Sequence, residues 1–187
     1  MLIMMFVLPK WARKIGKKEV CAVGVAAAAL ANLALFFMRG MDPGVLMWLF
    51  LVLCFVSGCG LTTVVMQLWA MIADAIDEIE VRNGSRDDGT AYSVFNFFRK
   101  LGQVLAAVAV NGALLGMNYK YEKGAVQTLE NLRKMYDLAT IIPAVMFGLM
   151  ALILFVYYPL SRKRVAELQI EKEAKLRADV EAKEVEI

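Results

Sequence analysis

"IADAIDEIEVRNGSRDDGTAYSVFNFFRKLGQ" (Ile72–Gln103) crowds acids and bases together and then turns apolar: after Arg99 and Lys100 no charge follows for nineteen residues. A charged segment that runs into an uncharged one of that length is the pattern of a chain entering a bilayer. Composition agrees. Of 187 residues, 60% are hydrophobic, and the mean hydropathy is +0.58, too apolar for a water-soluble domain of this size.

Outward from this stretch, uncharged runs cover Val20–Met38, Pro43–Ala73, Leu101–Tyr119 and Leu138–Ser161. Each is close to or above the roughly 20 residues that carry a helix across about 30 Å of hydrocarbon. Four spans are therefore expected, at about 20–38, 44–73, 90–118 and 138–160. The opening "MLIMMFVLP" (1–9) is apolar but short and lacks the basic start and small-residue cleavage site of a signal peptide, so it reads as the cut end of a fifth helix. The segment 10–19 reads as a basic loop. Residues 161–187 form a charged tail with opposite charges four apart, Glu171 with Lys175, Glu173 with Arg177 and Asp179 with Lys183, and this spacing predicts a solvated helix. Val165, Leu168, Leu176 and Val180 offer only a weak apolar stripe along it.

Bases set the orientation, because cytoplasmic loops near membrane ends collect Lys and Arg. "KWARKIGKKE", Arg82 with Arg86, and "SRKRV" lie on one side of four sequential spans, which places the C-terminus in the cytoplasm. The net charge of +3 reflects those loops, and the bases lack the interleaved aromatics of a nucleic-acid surface, so no nucleic-acid partner is expected. Histidine is absent, and Cys21, Cys54 and Cys59 sit inside apolar runs without metal-ligand spacing. The cysteines read as packing residues, and neither a metal site, a resident cofactor nor an enzymatic nucleophile–base pair is expected.

If a helix starts near Thr90, Lys100 lies about 15 Å along it, near the bilayer midplane. A charge at that depth costs at least about 2.5–3.5 kcal/mol and belongs in a bundle interior or a watered cavity. At 100° per residue Asn96, Lys100, Gln103 and Asn111 fall within about 80° of one another, with Ser93 alongside. Arg99 points about 100° away. A polar face that includes a charge predicts a hydrophilic pathway, whereas Asn or Gln alone would serve as interhelical glue. Asp74, Asp77, Glu78 and Glu80 precede the turn at a helix C-terminus, where the macrodipole disfavours anions and a basic partner is expected. Arg82 and Arg86 are the local candidates. Asp87 and Asp88 suit the positive N-terminus of the next helix.

The same residues resemble the signature of the glycoside–pentoside–hexuronide:cation symporters, the melibiose-carrier family of the major facilitator superfamily. Its pattern is roughly A-D-x-x-D-y-g-E, G-x-R-x-E-G, y-S and K-x-g, and Asp74, Asp77, Glu80, Gly84, Arg86, Gly89, Ser93 and Lys100 fall on it. Glu78-Ile79 replaces the common Tyr-Gly, and Asp88 stands where Glu is usual. "YSVFNFFRKLGQ" and "FVYYPLS" are most similar to the glucuronide and xyloside carriers. The resemblance implies an all-α integral membrane protein, the C-terminal portion of a twelve-helix major facilitator fold: the end of helix 8 plus helices 9–12. It implies secondary active transport, with Na⁺, H⁺ or Li⁺ entry coupled to uptake of a sugar glycoside, pentoside or hexuronide across the inner membrane. By the same resemblance Lys100 would line the substrate path, with Asn96 and Gln103 on the same helical face as further substrate contacts, and Asp74, Asp77, Glu80 and Arg86 would form a cytoplasmic gate. Gly58, Gly60, Gly112 and Gly116 would offer close helix contacts. The implied partners are the sugar, the coupling cation, the lipid bilayer and the missing N-terminal half of the carrier. The alternative is a truncated, non-transporting membrane domain or scaffold.

Overall fold

The computed structural model describes residues 2–40, 43–117, 119–120 and 126–185, and every regular element among them is α-helix. The helices are α1 (Leu2–Ile15), α2 (Lys17–Phe37), α3 (Pro43–Asn83), α4 (Asp88–Gly116), α5 (Leu129–Val156) and α6 (Arg162–Val185). α2 to α5 are long and apolar enough to cross a membrane.

α2 is the hub, packed against α3 on one side and α5 on the other. Small residues make that possible: Ala22, Ala28 and Ala31 are buried along it with Val25 and Leu35. In lipid, burial of apolar surface drives helix association weakly, so close backbone approach and interhelical hydrogen bonds carry the contact. Both occur between α2 and α3. A Cβ built on Gly60 would overlap the Gly24 carbonyl oxygen and lie 2.8 Å from Ala28 Cβ, and the buried Asn32 donates from Nδ2 to Ser57 Oγ at 2.8 Å.

Polar ties close both ends of the α2–α5 contact. At one end Arg39 pairs with Asp137 at 2.6 Å and Tyr136 donates its hydroxyl to Leu35 O at 2.8 Å. At the other, Lys18 Nζ donates to Tyr158 O at 2.6 Å while the Tyr158 hydroxyl donates to Met71 O on α3 at 3.2 Å. Burial, followed by the nearby Asp74 charge, raises the Tyr158 pKa and keeps that hydroxyl a donor.

α4 is different, with no buried residue. It joins α3 through a turn in which Gly84 takes φ 74° and Asp87 caps the helix, its side chain accepting from Thr90 N at 3.0 Å. That bond lowers the Asp87 pKa. Beyond the turn, Trp69 of α3 meets Tyr92 and Phe95, with ring centroids 6.2 and 5.6 Å apart, and Arg99 stacks over Trp69 at 5.9 Å. α4 thus hangs from an aromatic hinge near its start.

Several boundaries differ from the sequence reading. The basic segment 10–19 is helical on both sides of Gly16, which breaks the axis at φ 127°, so it is a corner between α1 and α2 and not a loop. α3 runs ten residues past Ala73 to Asn83, because its charged turns find partners and need not unwind. α5 begins at Leu129, well before 138, because Thr128 caps it by accepting from Asn131 N at 3.3 Å and Glu130 pairs with Lys134 at 2.6 Å; it ends at Val156, ahead of Pro159. The tail is helical as expected but is not simply solvated: Leu168 is fully buried. Its Glu171 pairs with Arg164, at 3.0 Å, and Lys175 donates to Val81 O, at 2.6 Å, in place of the expected Glu171–Lys175 bridge. The side chains of Leu176, Asp179, Val180 and Lys183 lie outside the described ones. Of the glycines at 58, 60, 112 and 116, Gly60 makes the close contact, whereas Cβ atoms at the other three would meet nothing within 4 Å. Cys21 is buried in the α2 core while Cys54 is exposed.

Candidate functional site

Two groups of polar residues stand out, one midway along α4 and one where α3, α4 and α6 converge. On α4, Ser93, Asn96, Lys100, Gln103 and Asn111 are all exposed. Lys100 lies twelve residues after Asp88 in a helix of 29 residues, roughly 18 Å from its start. It forms no hydrogen bond or ion pair with any described residue, whereas Asn111 donates to Ala107 O at 2.8 Å within its own helix. The polar face is where helical periodicity puts it, and what it would meet lies outside these residues. A charge at this depth without a partner among the described residues calls for water, a ligand or further polypeptide beside it.

The second group is paired. α3 has 41 residues, roughly 60 Å, about twice the hydrocarbon thickness, so its last turns stand clear of the bilayer. Asp77 and Glu80 lie there, one turn apart, and two cations share them. Arg86 NH1 contacts Asp77 Oδ1 at 2.8 Å and Glu80 Oε2 at 2.9 Å, while Lys172 Nζ of α6 contacts the same two oxygens at 2.6 and 3.1 Å. Arg86 Nε also bonds Asp88 at 3.0 Å. The hydrogen bonds to Asp88, Asp77 and Glu80, in that order, raise the already high pKa of Arg86, and the bond to Asp77 leads the rise at Lys172. Both cations keep their protons at any physiological pH.

Asp74 belongs elsewhere. It is buried and takes both its carboxylate contacts from Lys17 Nζ, at 2.8 and 2.7 Å, which ties the end of α3 to the start of α2. Glu78 receives Arg164 of α6 in a two-pronged contact at 3.1 Å on each oxygen. Asp77, Glu80 and Arg86 therefore come together, Asp74 stands apart, and Lys17, Arg164 and Lys172 complete the charge pattern. Arg82 forms no ion pair among the described residues. The spacing of Arg164, Leu168 and Lys172, four residues apart on one helical face, is the sequence signal that links the tail to the acids of α3.

A family model described as MFS/sugar transport protein matches residues 1–162. The chain belongs to that family. Its members here include the uncharacterized symporter YjmB of Bacillus subtilis (strain 168), 30% identical over 161 residues that cover 86% of this chain and 34% of the relative. The glucuronide carrier protein homolog of Escherichia coli (strain K12) is 27% identical over 164 residues, 88% of this chain and 34% of its own length. An Escherichia coli (strain K12) protein named as a candidate sulfoquinovose importer is 27% identical over 165 residues, again 88% and 34%. The chain spans about a third of the length of these curated relatives, and no solved structure matches it. The all-helical bundle is thus part of a major facilitator fold, in a multi-pass membrane protein whose relatives are carriers and not enzymes.

Proposed function

We propose that this chain supplies helices 9–12 of a sugar–cation symporter and forms one wall of its substrate pathway. The observation that carries the reading is α4: a membrane-length helix with Asn96, Lys100 and Gln103 on one exposed face and no buried residue anywhere. The second wall is the missing N-terminal half, and the two halves rock about a site near the bilayer midplane. Lys100 offers an ammonium with three donors, suited to an anionic sugar. A glucuronide carries a carboxylate and sulfoquinovose a sulfonate, and relatives bear both names. Entry of Na⁺, H⁺ or Li⁺ would drive accumulation, as the name symporter of a relative suggests. Asp77, Glu80 and Arg86 would act as a gate at the α6 end, with Asp74 bracing α3 behind it. Their shared pairs exchange as the halves rock, biasing conformations without touching sugar. The positive-inside bias supports a cytoplasmic position for this end, and in the proposed reading the membrane is the inner one.

Uptake of labelled glucuronides, xylosides and galactosides by cells making the full-length carrier, with and without sodium, tests the reading. Lys100→Leu should insert at wild-type level, because it removes a membrane cost of roughly 2.5–3.5 kcal/mol, and transport should collapse. Lys100→Arg should restore little, since a rigid planar fork does not replace a compact ammonium on a flexible stem. Normal uphill accumulation by Lys100→Leu would remove Lys100 from the pathway.

A further inference from the structure

Arg99 is the charge on α4 that the polar face leaves unexplained. It lies roughly 16 Å along the helix from Asp88, beside Lys100 and at the same depth. Among the described residues it forms neither an ion pair nor a hydrogen bond, and it turns instead to α3, where its guanidinium carbon stands 5.9 Å over the centroid of the Trp69 ring. Trp69 is itself held, edge-on to Phe95 with centroids 5.6 Å apart and tilted against Tyr92 at 6.2 Å. A ring face steadies a cation without engaging its N–H groups as hydrogen-bond donors. Arg99 is thus held in place and exposed, with its guanidinium fork free to donate.

Helical geometry sets Arg99 at the border of the polar face. With Lys100 at zero and 100° per residue, Asn96 falls at about −40°, Gln103 at about −60° and Arg99 at about −100°. The two amides therefore stand between the two cations, Asn96 one turn before them and Gln103 one turn after, and all four side chains are exposed. A ligand resting on the amides has Lys100 on one flank and Arg99 on the other. The flanks differ in chemistry. A guanidinium matches the paired oxygens of a carboxylate or sulfonate with two parallel hydrogen bonds, whereas an ammonium is a point donor that adapts to hydroxyls. Two neighbouring positive charges at mid-depth also repel each other where the dielectric constant is low, and an anion seated between them relieves both.

We infer that Arg99, steadied by Trp69, holds the acid group of an anionic sugar where α3 meets α4, while Lys100 shares the charge and serves the sugar hydroxyls across Asn96 and Gln103. The inference rests on α4 being the pathway wall, and it assigns the residue that makes that wall selective for sugar acids. Arg99 touches the substrate in this arrangement, and Trp69 is a positioning residue that acts through it. An arginine that did no more than clip α4 to α3 would matter equally for charged and for neutral sugars.

Competition for uptake by cells making the full-length carrier separates the two roles. Whichever labelled glycoside is taken up is displaced with methyl glucuronide, with its neutral counterpart methyl glucuronamide, and with methyl glucoside. The wild type should bind the glucuronide at least about tenfold more tightly than the glucuronamide, the scale of one charge-assisted hydrogen bond. Arg99→Gln should weaken the glucuronide by at least about tenfold and leave the two neutral sugars within about threefold. Arg99→Lys, which keeps the charge and loses the fork, should fall between. Trp69→Leu should weaken the glucuronide selectively, and Trp69→Phe, which keeps a ring face, should do so less. Equal weakening of acid and neutral sugars in Arg99→Gln would reduce Arg99 to a clip and overturn the inference, as would an undiminished preference for the acid in that variant. A wild-type carrier that does not prefer the acid would overturn it without reliance on any variant. Each of these results leaves the pathway wall standing, because Lys100→Leu tests that separately; uptake of no labelled sugar would remove the wall and this inference with it.

Discussion

Truncating Leu168 asks what holds α6 against α3: apolar burial or the ion pairs that surround it. Leu168 is 0% exposed. It sits outside the membrane-spanning helices, where water is the alternative environment and the full hydrophobic cost applies. Leu→Ala at such a site costs about 2–5 kcal/mol. The neighbouring pairs are worth less. Arg164 and Glu78 are 31% and 19% exposed, Lys172 and Asp77 25% and 15%, and partly solvated pairs contribute about 0–1 kcal/mol each. At about 1.4 kcal/mol per factor of ten, even the low end of the Leu168 cost opens α6 roughly thirtyfold more often. Hydrogen–deuterium exchange of the 165–175 amides in the purified chain measures this opening. Leu168→Ala should speed exchange by at least about thirtyfold, and Arg164→Ala or Lys172→Ala by less, at no more than about fivefold for each ion pair to α3 that is lost. Alanine is the strongest helix former, so faster exchange would report undocking and not a weaker helix. The reverse order, with Leu168→Ala silent and either charge variant releasing the tail, would show that electrostatics hold it and refute the reasoning.

Other perturbations reach separate parts of the bundle. Lys17→Ala strands the buried Asp74 charge and should cost about 3 kcal/mol, the lower end of the range for breaking a buried pair because Lys17 is partly solvated; adding Asp74→Asn should recover much of the loss in thermal unfolding. The raised pKa of Lys172 makes its share of docking complete below the ordinary lysine value, about 10.4, and lost only as pH climbs through the raised one. α6 protection should thus fall on alkalinisation, with Lys172→Arg pushing the fall to higher pH. Gly60→Val drives a side chain into the Gly24 carbonyl and Ala28, and a crosslink between cysteines placed on α2 and α3 should form more slowly in that variant. Labelling of intact cells from outside should modify Gln127→Cys and spare Ser85→Cys if the α6 end is cytoplasmic, and the opposite pattern would invert the topology.

The existence of the four long helices was legible because hydropathy over twenty residues is a strong local signal. Their ends were not, since α3 continues past Ala73 only by virtue of partners contributed from residues 17, 86, 164 and 172. Long-range pairing leaves no trace in a local window. The polar face of α4 could be read from a spacing of 100° per residue, because the helix is unbroken from Asp88 to Gly116. The docking of the tail was misread for a specific reason: Glu171–Lys175 looks like a solvated intrahelical pair, yet Arg164 reaches Glu171 from a turn earlier and Lys175 turns to a backbone carbonyl of α3. Four-residue spacing in a charged helix describes a face without saying whether water or protein lies against it. The acids of α3, in surplus at a helix C-terminus, held the missing half of that information.

That surplus also separates the two polar groups by function. Asp77 and Glu80 are shared between Arg86, in the turn leading to α4, and Lys172, on α6. Any force that shifts α4 must therefore pull Arg86 against a site where Lys172 is already in place to take up the released carboxylates. The turn can move without leaving two bare anions side by side, which lowers the cost of motion at this end. Lys100, by contrast, has no ion-pair partner among the described residues, and α4 meets α3 through the Trp69 ring cluster near its start. If α4 is the pathway wall proposed above, a pivot about its root at the Trp69 rings would swing Lys100, at mid-depth, further than any residue near the turn, and the Arg86 pairs at that root would have to exchange as it did so.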